Sequence, residues 1–489
     1  YSVLAQVLLF KSSERKIFIF LGGIVMEFRR ERDSIGEKQV PSKAYYGVQS
    51  LRGHENFRIS GQTINNQLIK NLSVVKKACA ITNCNVGELK EEYKEAIVKA
   101  CEEVYSGKFD NEFIIDPIQG GAGTSLNMNI NEVIANRANE ILGFNKGEYY
   151  PIHPNDHVNM GQSTNDVIPT AASLTTYELL NGCIEKLMKL SYEFNIKAEE
   201  LTDVIKMGRT EMQDAVPISL GSEFKAFSMA IGRDVKRLER VKDSLLEVNL
   251  GGTAVGTGIT ANEKYIASVV LELSNIFDEH IIQSSNLVDG TQNLDKYAEV
   301  SSQLKVCAVN ISKIAGDLIL MSSGPRAGFG EIRLPARQNG SSIMPGKVNP
   351  VMPEVMKEIS FQIMGNDLTI TMATQSGQLE LNAFYPIVIH NLYESLVILT
   401  NGVETFIENC VKGIEANEKR CNNLVDGSIG IVTALAPILG YEKSAAIAKK
   451  ALKTGKYVKE IVLEECDINE TEVSKILNTR EMAKISINN

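Results

Sequence analysis

Residues 297–321 read YAEVSSQLKVCAVNISKIAGDLILM and indicate the fold class of the chain. Apolar side chains recur there at alternating spacings of three and four residues: Tyr297, Val300, Leu304, Cys307, Ile311, Ile314, Leu318 and Met321. This spacing is typical of a helix that packs along one seam against the other helices of a bundle. A helix of about 30 residues is about 45 Å long, so the sequence predicts a tall bundle.

Helical spacing of this kind extends over most of the chain on both sides of that segment. The predicted helices cover residues 68–80, 91–105, 166–206, 219–248, 262–285, 292–322, 351–374 and 383–414. We expect a mainly α protein with an N-terminal domain over 26–164, a central helical bundle over 165–419 and a small C-terminal helical domain over 420–489. Helices that carry apolar residues outside one seam need further neighbours, which predicts that the bundle associates with other copies.

The first 25 residues, YSVLAQVLLFKSSERKIFIFLGGIV, differ in composition from everything that follows. The stretch does not resemble a signal peptide, because KSSERK interrupts its apolar run and no A-x-A-like cleavage site precedes Met26. Gly22 and Gly23 can be encoded by GGAGGN, a purine-rich ribosome-binding sequence at a suitable distance from a bacterial start codon. We therefore predict that residues 1–25 are translated upstream sequence and that the native protein begins at Met26.

The composition argues against several classes of partner. The 489 residues are 44% hydrophobic and 23% charged, and their net charge is −9. Nucleic-acid binders and proteins that dock on anionic membranes present basic surfaces, so this balance predicts neither nucleic acid nor membrane as a partner. The eight cysteines are sparse and form no CxxC pair, which is typical of buried, reduced thiols and predicts a cytoplasmic protein.

A long polar connection, SGPRAGFGEIRLPARQNGSSIMPGKVNP, lies at 323–350 between two predicted helices. Connections of this length in a compact protein are usually functional or disordered, and the apolar residues interleaved near its end argue against disorder. Gly340 and Gly346 allow the backbone to approach a ligand closely. Between Ser341 and Asn349 the loop offers two hydroxyls, an ammonium and a carboxamide. The loop therefore predicts a receptor for a small carboxylate, with a plain polar surface loop as the alternative.

Three shorter clusters have a similar composition. Residues 123–127 (GTSLN), 161–166 (GQSTND) and 208–214 (GRTEMQD) each combine glycine with hydroxyl, amide or carboxyl groups. Each of them can equally serve only as a helix cap or a turn.

Two other patterns predict no site. GGTAVGTG at 251–258 lacks the Lys-Ser/Thr of a phosphate-binding loop and follows a predicted helix rather than a strand. His153 and His157 are four residues apart in a stretch that resembles a loop, without a further ligand nearby. We predict neither a metal nor an organic cofactor.

The loop GSSIMPGKVNP at 340–350 resembles the signature loop of the fumarase/aspartase superfamily, whose members eliminate fumarate from succinyl-type substrates. Four further blocks resemble family blocks in the family order: GEKQVPSKAYYGVQSLR, GAGTSLNMNINEVIAN, HPNDHVNMGQSTNDV and GRTEMQDAVP. The resemblance extends from Arg32 nearly to the C-terminus. It implies a mainly α, three-domain fold whose long central bundle joins four chains in a homotetramer. It also implies active sites that each collect residues from three chains.

The resemblance further implies a role for each matching residue. Ser341 would be the general base, acting as an alkoxide in a mobile loop that closes over the substrate. The other residues would hold the substrate. The β-carboxylate would be bound by Thr124, Ser163, Thr164 and Ser342, and the α-carboxylate by Lys347, Asn349 and Thr210. Asn165 would lie near the amino group. Removing a proton from the carbon beside the β-carboxylate gives that carboxylate a second negative charge, so the chemistry needs fixed donors around it.

One position departs from the family pattern. The block that usually reads GRTH or GRTQ is here Gly208-Arg209-Thr210-Glu211, and in fumarases the histidine pairs with a glutamate that matches Glu354. Glu211 either shares a proton with Glu354, or offsets the charge of the substrate's ammonium group, or turns to solvent. The second option suits ammonia elimination, because an ammonium group leaves without being protonated.

Within the family, the sequence favours one reaction and leaves two alternatives. AYYGVQSLR, AGTSLNMN and PVMPEV resemble the branch that eliminates ammonia from L-aspartate, whereas PNDHVNM and FYPIVIHN fit equally well in class II fumarases, which act on malate. The missing histidine weakens the fumarase alternative, because hydroxide needs an acid to leave. The other alternative is a non-catalytic lyase-fold scaffold, against which the intact Ser341, Lys347 and Asn349 argue. We therefore predict a carbon-nitrogen lyase that converts L-aspartate reversibly into fumarate and ammonia through an aci-carboxylate intermediate.

Overall fold

The computed structural model of the chain describes residues 9–11, 16–21 and 24–484, with side chains from residue 27 onward. Much of the predicted upstream segment, residues 1–25, lies outside the described residues. In the described part, the α-helices are α1 (Val48–Asn56), α2 (Asn66–Asn85), α3 (Glu91–Tyr105), α4 (Thr124–Ile141), α5 (Thr164–Glu200), α6 (Leu220–Lys242), α7 (Glu263–Phe277), α8 (Leu287–Gln292), α9 (Asp295–Met321), α10 (Val351–Thr374), α11 (Tyr385–Asn409), α12 (Glu418–Gly427), α13 (Ala436–Leu439), α14 (Tyr441–Thr454), α15 (Val458–Glu465), α16 (Glu470–Ile476) and α17 (Thr479–Met482).

The strands are short and lie mostly in pairs. They are β1 (Leu9–Lys11), β2 (Lys16–Leu21), β3 (Ile24–Asp33), β4 (Gly36–Pro41), β5 (Ile205–Thr210), β6 (Gln213–Ser219), β7 (Glu247–Val248), β8 (Ile282–Gln283), β9 (Ile332–Arg333) and β10 (Glu415–Ala416). The first four form one antiparallel sheet in sequence order, β5 pairs with β6 and β9 with β10 in antiparallel fashion, and β7 pairs with β8 in parallel. The prediction of a mainly α fold is confirmed.

The chain divides into two compact units, each built from several segments of the sequence. The first unit contains Tyr1–Asn181, Leu238–Ser302 and Gly365–Leu396, and the second contains Gly182–Arg237, Gln303–Met364 and Val397–Asn489. Five long helices contribute residues to both units: α5, α6, α9, α10 and α11. The division into domains at 26–164, 165–419 and 420–489 stays a prediction.

In the first unit, the N-terminal helices pack around α2. This helix begins where the side chain of Asn65 accepts the N–H of Gln67, and it packs against α3 and α7. Its apolar residues Leu68, Leu72 and Val75 are fully buried. α4 packs against α1 and α3. These contacts fix the position of α4 and of the loop that precedes it.

The second unit includes a compact C-terminal region. α14 and α15 bury Ile447, Ile461 and Val462 in a hydrophobic cluster that also contains Ile205 and Met207 of β5. No single helix in the described residues is long and apolar enough to cross a membrane, and one bent pair, Glu418–Gly427 with Ile429–Leu439, reaches that length and composition.

The seam that the sequence predicts along α9 is confirmed, because all eight of its apolar residues are buried. The helices at 91–105 and 351–374 have the predicted bounds. The eight cysteines are free thiols, and all of them except Cys84 are buried.

The segment at 208–214 lies between the helices α5 and α6, in a β5–β6 hairpin that the sequence did not predict. Some local predictions are wrong. The helix predicted over 166–206 ends at Glu200, because the carbonyls of Leu201 and Val204 accept N–H groups from the start of α6. Between His153 and His157 the chain forms a π-helical turn rather than a loop.

Candidate active site

Thr124 lies at the N-terminus of α4, behind a tight left-handed turn. Gly121, Ala122 and Gly123 have φ angles of 82°, 55° and 93°. This turn brings both the backbone N–H and the hydroxyl of Thr124 onto the carbonyl of Gly121, at 3.0 and 2.8 Å. Thr124 is exposed. The positive end of the helix dipole favours an anion at such a helix start.

Ser163, Thr164 and Asn165 lie at the N-terminus of α5. Ser163 Oγ accepts the N–H of Asn165 at 3.2 Å, and the Ser163 N–H donates to Asp166 Oδ1 at 2.8 Å. This reciprocal capping fixes the first turn of the helix. The Ser163 oxygen is used as an acceptor, so its hydrogen is available to a ligand.

Thr164 is tied to α4 by an amide side chain. Asn127 Nδ2 donates to Thr164 Oγ1 at 3.1 Å and to Asn159 Oδ1 at 3.2 Å. Because the Thr164 oxygen accepts this hydrogen bond, its own hydrogen is free to donate elsewhere. The bond also brings together the N-termini of α4 and α5, so the first unit offers hydroxyl donors beside two helix starts of the same polarity.

The buried side chain of Lys76 lies near these two helix starts and shares Asn159 as a partner with Asn127. Lys76 is fully buried, and its Nζ donates to Asn159 Oδ1 at 2.9 Å and to Gln162 Oε1 at 2.8 Å. Burial lowers the pKa of Lys76 to about 8. Burial likewise raises the pKa of the nearby Asp166 to about 6, even though three backbone N–H groups donate to its carboxyl.

Asn165 has its amide orientation fixed by another loop. Its Nδ2 donates to the carbonyl of Ala254 at 2.7 Å. This bond directs the nitrogen toward the loop and leaves the side-chain oxygen as an acceptor. An acceptor at this position suits a substrate ammonium group.

In the second unit, the loop between α9 and α10 prepares Ser341 for negative charge. Ser341 Oγ accepts the backbone N–H groups of Ile343 and Met344 at 3.2 and 3.1 Å. Hydrogen bonds that strengthen when the acceptor is charged favour the anionic form of that acceptor. Two such donors on a serine oxygen are the arrangement that an alkoxide needs.

The same loop is closed on itself by two hydrogen bonds. The Gly340 N–H donates to the carbonyl of Lys347 at 2.8 Å, and Asn349 Nδ2 donates to the carbonyl of Gly340 at 2.9 Å. Ser342 and Lys347 are exposed at its tip. Asn349 therefore fastens the base of the loop with one of its two amide hydrogens, and the contact with a substrate that the resemblance implies for Asn349 stays a prediction.

Thr210 and Glu211 lie at the tip of the β5–β6 hairpin. Glu211 and Met212 form the turn with φ angles of 53° and 63°, and both side chains are exposed. Glu354 lies in the first turn of α10, and no ion pair or side-chain hydrogen bond of Glu211 or Glu354 occurs among the described residues. The proton-sharing pair is not formed within the described part of one chain, and all three options for Glu211 stay predictions.

The hairpin is anchored by a buried charge cluster beside Thr210. Glu331 is fully buried and pairs with Arg209 Nη1 at 2.9 Å and with Lys206 Nζ at 3.3 Å. The guanidinium group of Arg209 also stacks over the ring of Phe329, 4.1 Å from its centre. The cluster holds the hairpin against the segment 329–331 of the long connection.

His153 and His157 each accept backbone N–H groups through one ring nitrogen. His153 Nδ1 accepts the N–H groups of Asn155 and Asp156, and His157 Nδ1 accepts the N–H of His153. Burial lowers the pKa of His157. These contacts account for one ring nitrogen of each histidine.

The predicted site residues therefore fall into two groups. Four lie in the first unit: Thr124, Ser163, Thr164 and Asn165. Six lie in the second unit: Thr210, Glu211, Ser341, Ser342, Lys347 and Asn349. Within the first unit the structure brings Thr164 beside the start of α4, and within the second it keeps Ser341 and Lys347 in one closed loop.

Comparison with known sequences identifies the family. The sequence model of the lyase family matches residues 36–365, and that of the fumarase C C-terminus matches residues 431–484. The chain belongs to the fumarase/aspartase family of lyases.

Individual members of the fumarase/aspartase family resemble the whole chain. An aspartate ammonia-lyase of Bacillus subtilis is 52% identical over 94% of this chain and 97% of its own length. An aspartate ammonia-lyase of Helicobacter pylori is 46% identical over 93% of this chain and 97% of its own length. The class II fumarase of Schistosoma mansoni is 35% identical, with a TM-score of 0.89, over 93% of this chain and 99% of its own length. A fumarate lyase:delta crystallin of Brucella melitensis, solved bound to cobalt, gives a TM-score of 0.91 at 47% identity over 94% of this chain and 100% of its own.

The sequence of this family member does not reveal the buried charged groups that contact the site's loops and helix starts. Lys76 stands in an ordinary Lys-Lys pair, and nothing in its spacing signals that it is fully buried. Asp166 has a weak signal, because it is the third residue after a capping serine. Glu331 has none, since its partners lie more than a hundred residues away in sequence.

Proposed function

We propose that this protein catalyses the reversible elimination of ammonia from L-aspartate to give fumarate. The observation that carries the proposal is the environment of Ser341, whose oxygen accepts two backbone N–H groups in a closed loop. Curated relatives that are 46–53% identical over almost the whole chain are aspartate ammonia-lyases. The environment of Ser341 supports a general base for the elimination, and the relatives favour L-aspartate as its substrate.

The first chemical step is removal of a proton from the carbon beside the β-carboxylate. Ser341 is the proposed general base, and an unaided serine hydroxyl is far too basic to be ionised near neutral pH. The N–H groups of Ile343 and Met344 lower that cost, because they interact more strongly with an alkoxide than with a neutral hydroxyl. The ammonium group of Lys347, in the same loop, adds a positive charge nearby.

The second requirement is to stabilise the aci-carboxylate dianion that forms. Thr124, Ser163, Thr164 and Ser342 are the proposed donors, and the Thr124 hydroxyl would have to turn away from the carbonyl of Gly121, to which it donates here. Thr164 supports this role best, because the amide of Asn127 occupies its oxygen and leaves the hydroxyl hydrogen to point at a ligand. Donors that are oriented before the reaction need no reorganisation when the charge develops. Closure of the loop would exclude water and strengthen these contacts.

The other end of the substrate is assigned by charge. Lys347, Asn349 and Thr210 bind the α-carboxylate in this proposal, and Asn349 also holds the loop that carries Lys347. The oxygen of Asn165 accepts from the substrate's ammonium group, and Glu211 offsets the charge of that group. Ammonium leaves without an acid, so the absence of a histidine at position 211 favours aspartate over malate.

We also propose that the protein is a homotetramer with active sites shared between chains. Exposed large apolar residues support this, since they occur on several of the long helices: Met188, Tyr192, Met229, Val309, Leu320, Phe361, Leu368 and Met372. Contiguous apolar surface on helices is typical of subunit interfaces. The free, mostly buried thiols support a cytoplasmic location.

An ultraviolet assay for fumarate tests the reaction, with L-aspartate and L-malate offered in parallel. We expect fumarate from L-aspartate. Formation from malate alone would establish the fumarase alternative, and no product from either would support a scaffold.

The role of Ser341 is tested with Ser341→Ala, which should lower kcat about a thousandfold, because a general base contributes about 10²–10⁴ in rate. The matched control is Ser376→Ala, which removes a hydroxyl that donates to a helix carbonyl outside the site. Retained turnover in Ser341→Ala would refute the assignment of the base.

A further inference from the structure

Pro169 leaves a backbone carbonyl unpaired in the first turns of α5. Proline lies inside this helix, six residues into it. A residue at this position would ordinarily donate its N–H to the carbonyl of Asn165, but proline has none. Buried backbone carbonyls are almost always paired. The carbonyl that lacks its helical partner belongs to the residue assigned to the amine end of the substrate.

Asn249, at the start of a glycine-rich loop, supplies the missing donor. Its Nδ2 donates to the carbonyl of Asn165 at 2.9 Å and to Thr291 Oγ1 at 3.0 Å. Only 3% of Asn249 is exposed. Both amide hydrogens are therefore used, and the side chain has one orientation.

The same loop is joined to α5 by three further hydrogen bonds. The N–H groups of Gly251 and Thr253 donate to Asp166 Oδ2 at 3.2 and 3.0 Å, and Asn165 Nδ2 donates to the carbonyl of Ala254 at 2.7 Å. Asp166 is fully buried. The carboxylate of Asp166 accepts N–H groups that a nucleotide phosphate would need. The glycine-rich sequence at 251–258 therefore binds an anionic side chain of the same chain rather than a nucleotide.

We propose that Asn249 is a positioning residue for the amine end of the active site. It holds the backbone of Asn165, while Ala254 of the same loop holds the amide of Asn165, so the loop 249–254 directs the free oxygen of Asn165 at the substrate nitrogen. The inference rests on the proposed function, because that function places Asn165 beside the ammonium group. Asn249 itself touches no substrate.

The amination of fumarate separates this role from a merely structural one, since ammonia and fumarate then have separate KM values. In Asn249→Ala, we expect the KM for ammonia to rise about five- to tenfold, the change that one hydrogen bond produces. The KM for fumarate should change less than about twofold, because the donors to the carboxylates remain. The matched control is Asn262→Ala, which removes a half-buried loop asparagine that caps α7 and donates to Glu88. It should leave the ratio of the two KM values unchanged.

A second variant tests the geometry directly. Pro169→Ala restores the backbone N–H that can donate to the carbonyl of Asn165. On that background, Asn249→Ala should raise the KM for ammonia by less than about twofold, because the carbonyl then has its helical partner. Rescue of this kind is expected only if the Asn165 carbonyl is the group that Asn249 serves.

Hydrogen exchange gives a reading that does not depend on activity. In Asn249→Ala, amides at 163–168 should exchange faster than in the wild type, whereas those of α7 should not change. An equal rise in both KM values, absence of rescue by Pro169→Ala, or unchanged exchange at 163–168 would overturn the proposal. If the wild-type protein makes no fumarate from aspartate, the proposed function fails, and the exchange result still decides whether Asn249 holds the segment.

Discussion

At Thr164, a neighbouring amide prepares one hydroxyl as a donor. Asn127 Nδ2 donates to its oxygen at 3.1 Å, so the hydroxyl hydrogen can reach the charge that develops on the substrate. Thr164→Val keeps the shape and removes the donor. We expect kcat to fall by about 10²–10³, as for other donors in such sites, measured as the initial rate of fumarate formation from L-aspartate.

The control for this variant lies in the same helix. Thr176 is buried, and its hydroxyl donates to the carbonyl of Ala172 one turn earlier. Thr176→Val therefore makes the same chemical change away from the site and should keep kcat within about threefold. Similar losses in both variants would indicate damage to α5 rather than loss of a catalytic donor.

Glu132 is a residue whose effect on stability depends on pH. It is fully buried in α4 and accepts the N–H groups of Gly47, Gln49 and Ser50 at the start of α1, at 2.9–3.0 Å. Burial raises the pKa of its carboxyl from 4.5 to about 7. Between pH 4.5 and about pH 7, the Glu132 carboxyl is therefore more often protonated in the folded protein than in the unfolded chain.

The sign of the effect follows from linkage. The stabilisation from the raised pKa is complete below about pH 4.5 and is lost as the pH rises through about 7, by up to roughly 1.4 kcal/mol per pH unit. Glu132→Gln removes this titration, so the Tm of the wild type minus the Tm of the variant should fall as the pH rises from 5 to 7.5. Exposed Glu95→Gln is the control, and for it the same quantity should stay constant. A rise of this quantity with pH for Glu132→Gln would contradict the raised pKa.

At the scale of one element, the loop 340–349 works because its two ends are joined. A Cβ on Gly340 would lie 2.5 Å from the carbonyl oxygen of Lys347, whereas a Cβ on Gly346 would meet no atom within 4 Å. Gly340→Ala must therefore break the closure that holds Ser341 and its donors. Gly346, with a φ of 79°, would suffer only backbone strain, of about 1 kcal/mol.

These two glycines give a matched pair of variants. Gly340→Ala should lower kcat by about tenfold to a hundredfold, because displacing a catalytic group by about 1 Å costs of order 10² in rate. Gly346→Ala should change kcat by less than about fivefold. Steady-state kinetics on L-aspartate, with thermal unfolding to check the fold, measures both. Equal effects would mean that closure of the loop does not control Ser341.

The elements differ in how far the sequence could predict them. α3 and α10 have their predicted bounds because their apolar spacing starts and stops with the helix. The β5–β6 hairpin was missed because helical spacing of apolar residues continues through Leu201 and Val204, beyond the end of α5. Contacts with the start of α6 override that spacing, and a single sequence does not display them.

The candidate site divides in the same way. Hydroxyls next to glycines, such as Ser341 and Thr124, stand out in sequence because a short segment contains the whole pattern. Asn249 did not stand out, because the carbonyl that it binds lies 84 residues away; for Asp166 the sequence indicates only the local bond to Ser163 and not the two bonds to the loop at 251–253. Their roles depend on which loops meet, and this is a property of the folded chain.

At the scale of the whole molecule, the residues proposed for the site are divided between the two units. Thr164 belongs to the first unit, and Ser341 and Lys347 belong to the second. If the protein is a homotetramer with shared sites, the Thr164 and Ser341 that serve one substrate come from different chains. Two inactive variants should then restore each other, whereas a site built within one chain could never be restored.

Mixing Ser341→Ala with Thr164→Val chains during refolding tests this arrangement. With equal amounts and random assembly, about a quarter of the sites receive an intact Ser341 from one chain and an intact Thr164 from another. We expect activity near that fraction of the wild type. The control mixes Ser341→Ala with Lys347→Ala, which should remain inactive, because Ser341 and Lys347 lie in one closed loop and reach a site together. Tagged mixed oligomers without recovered activity in the first mixture would place both residues of each site in one chain.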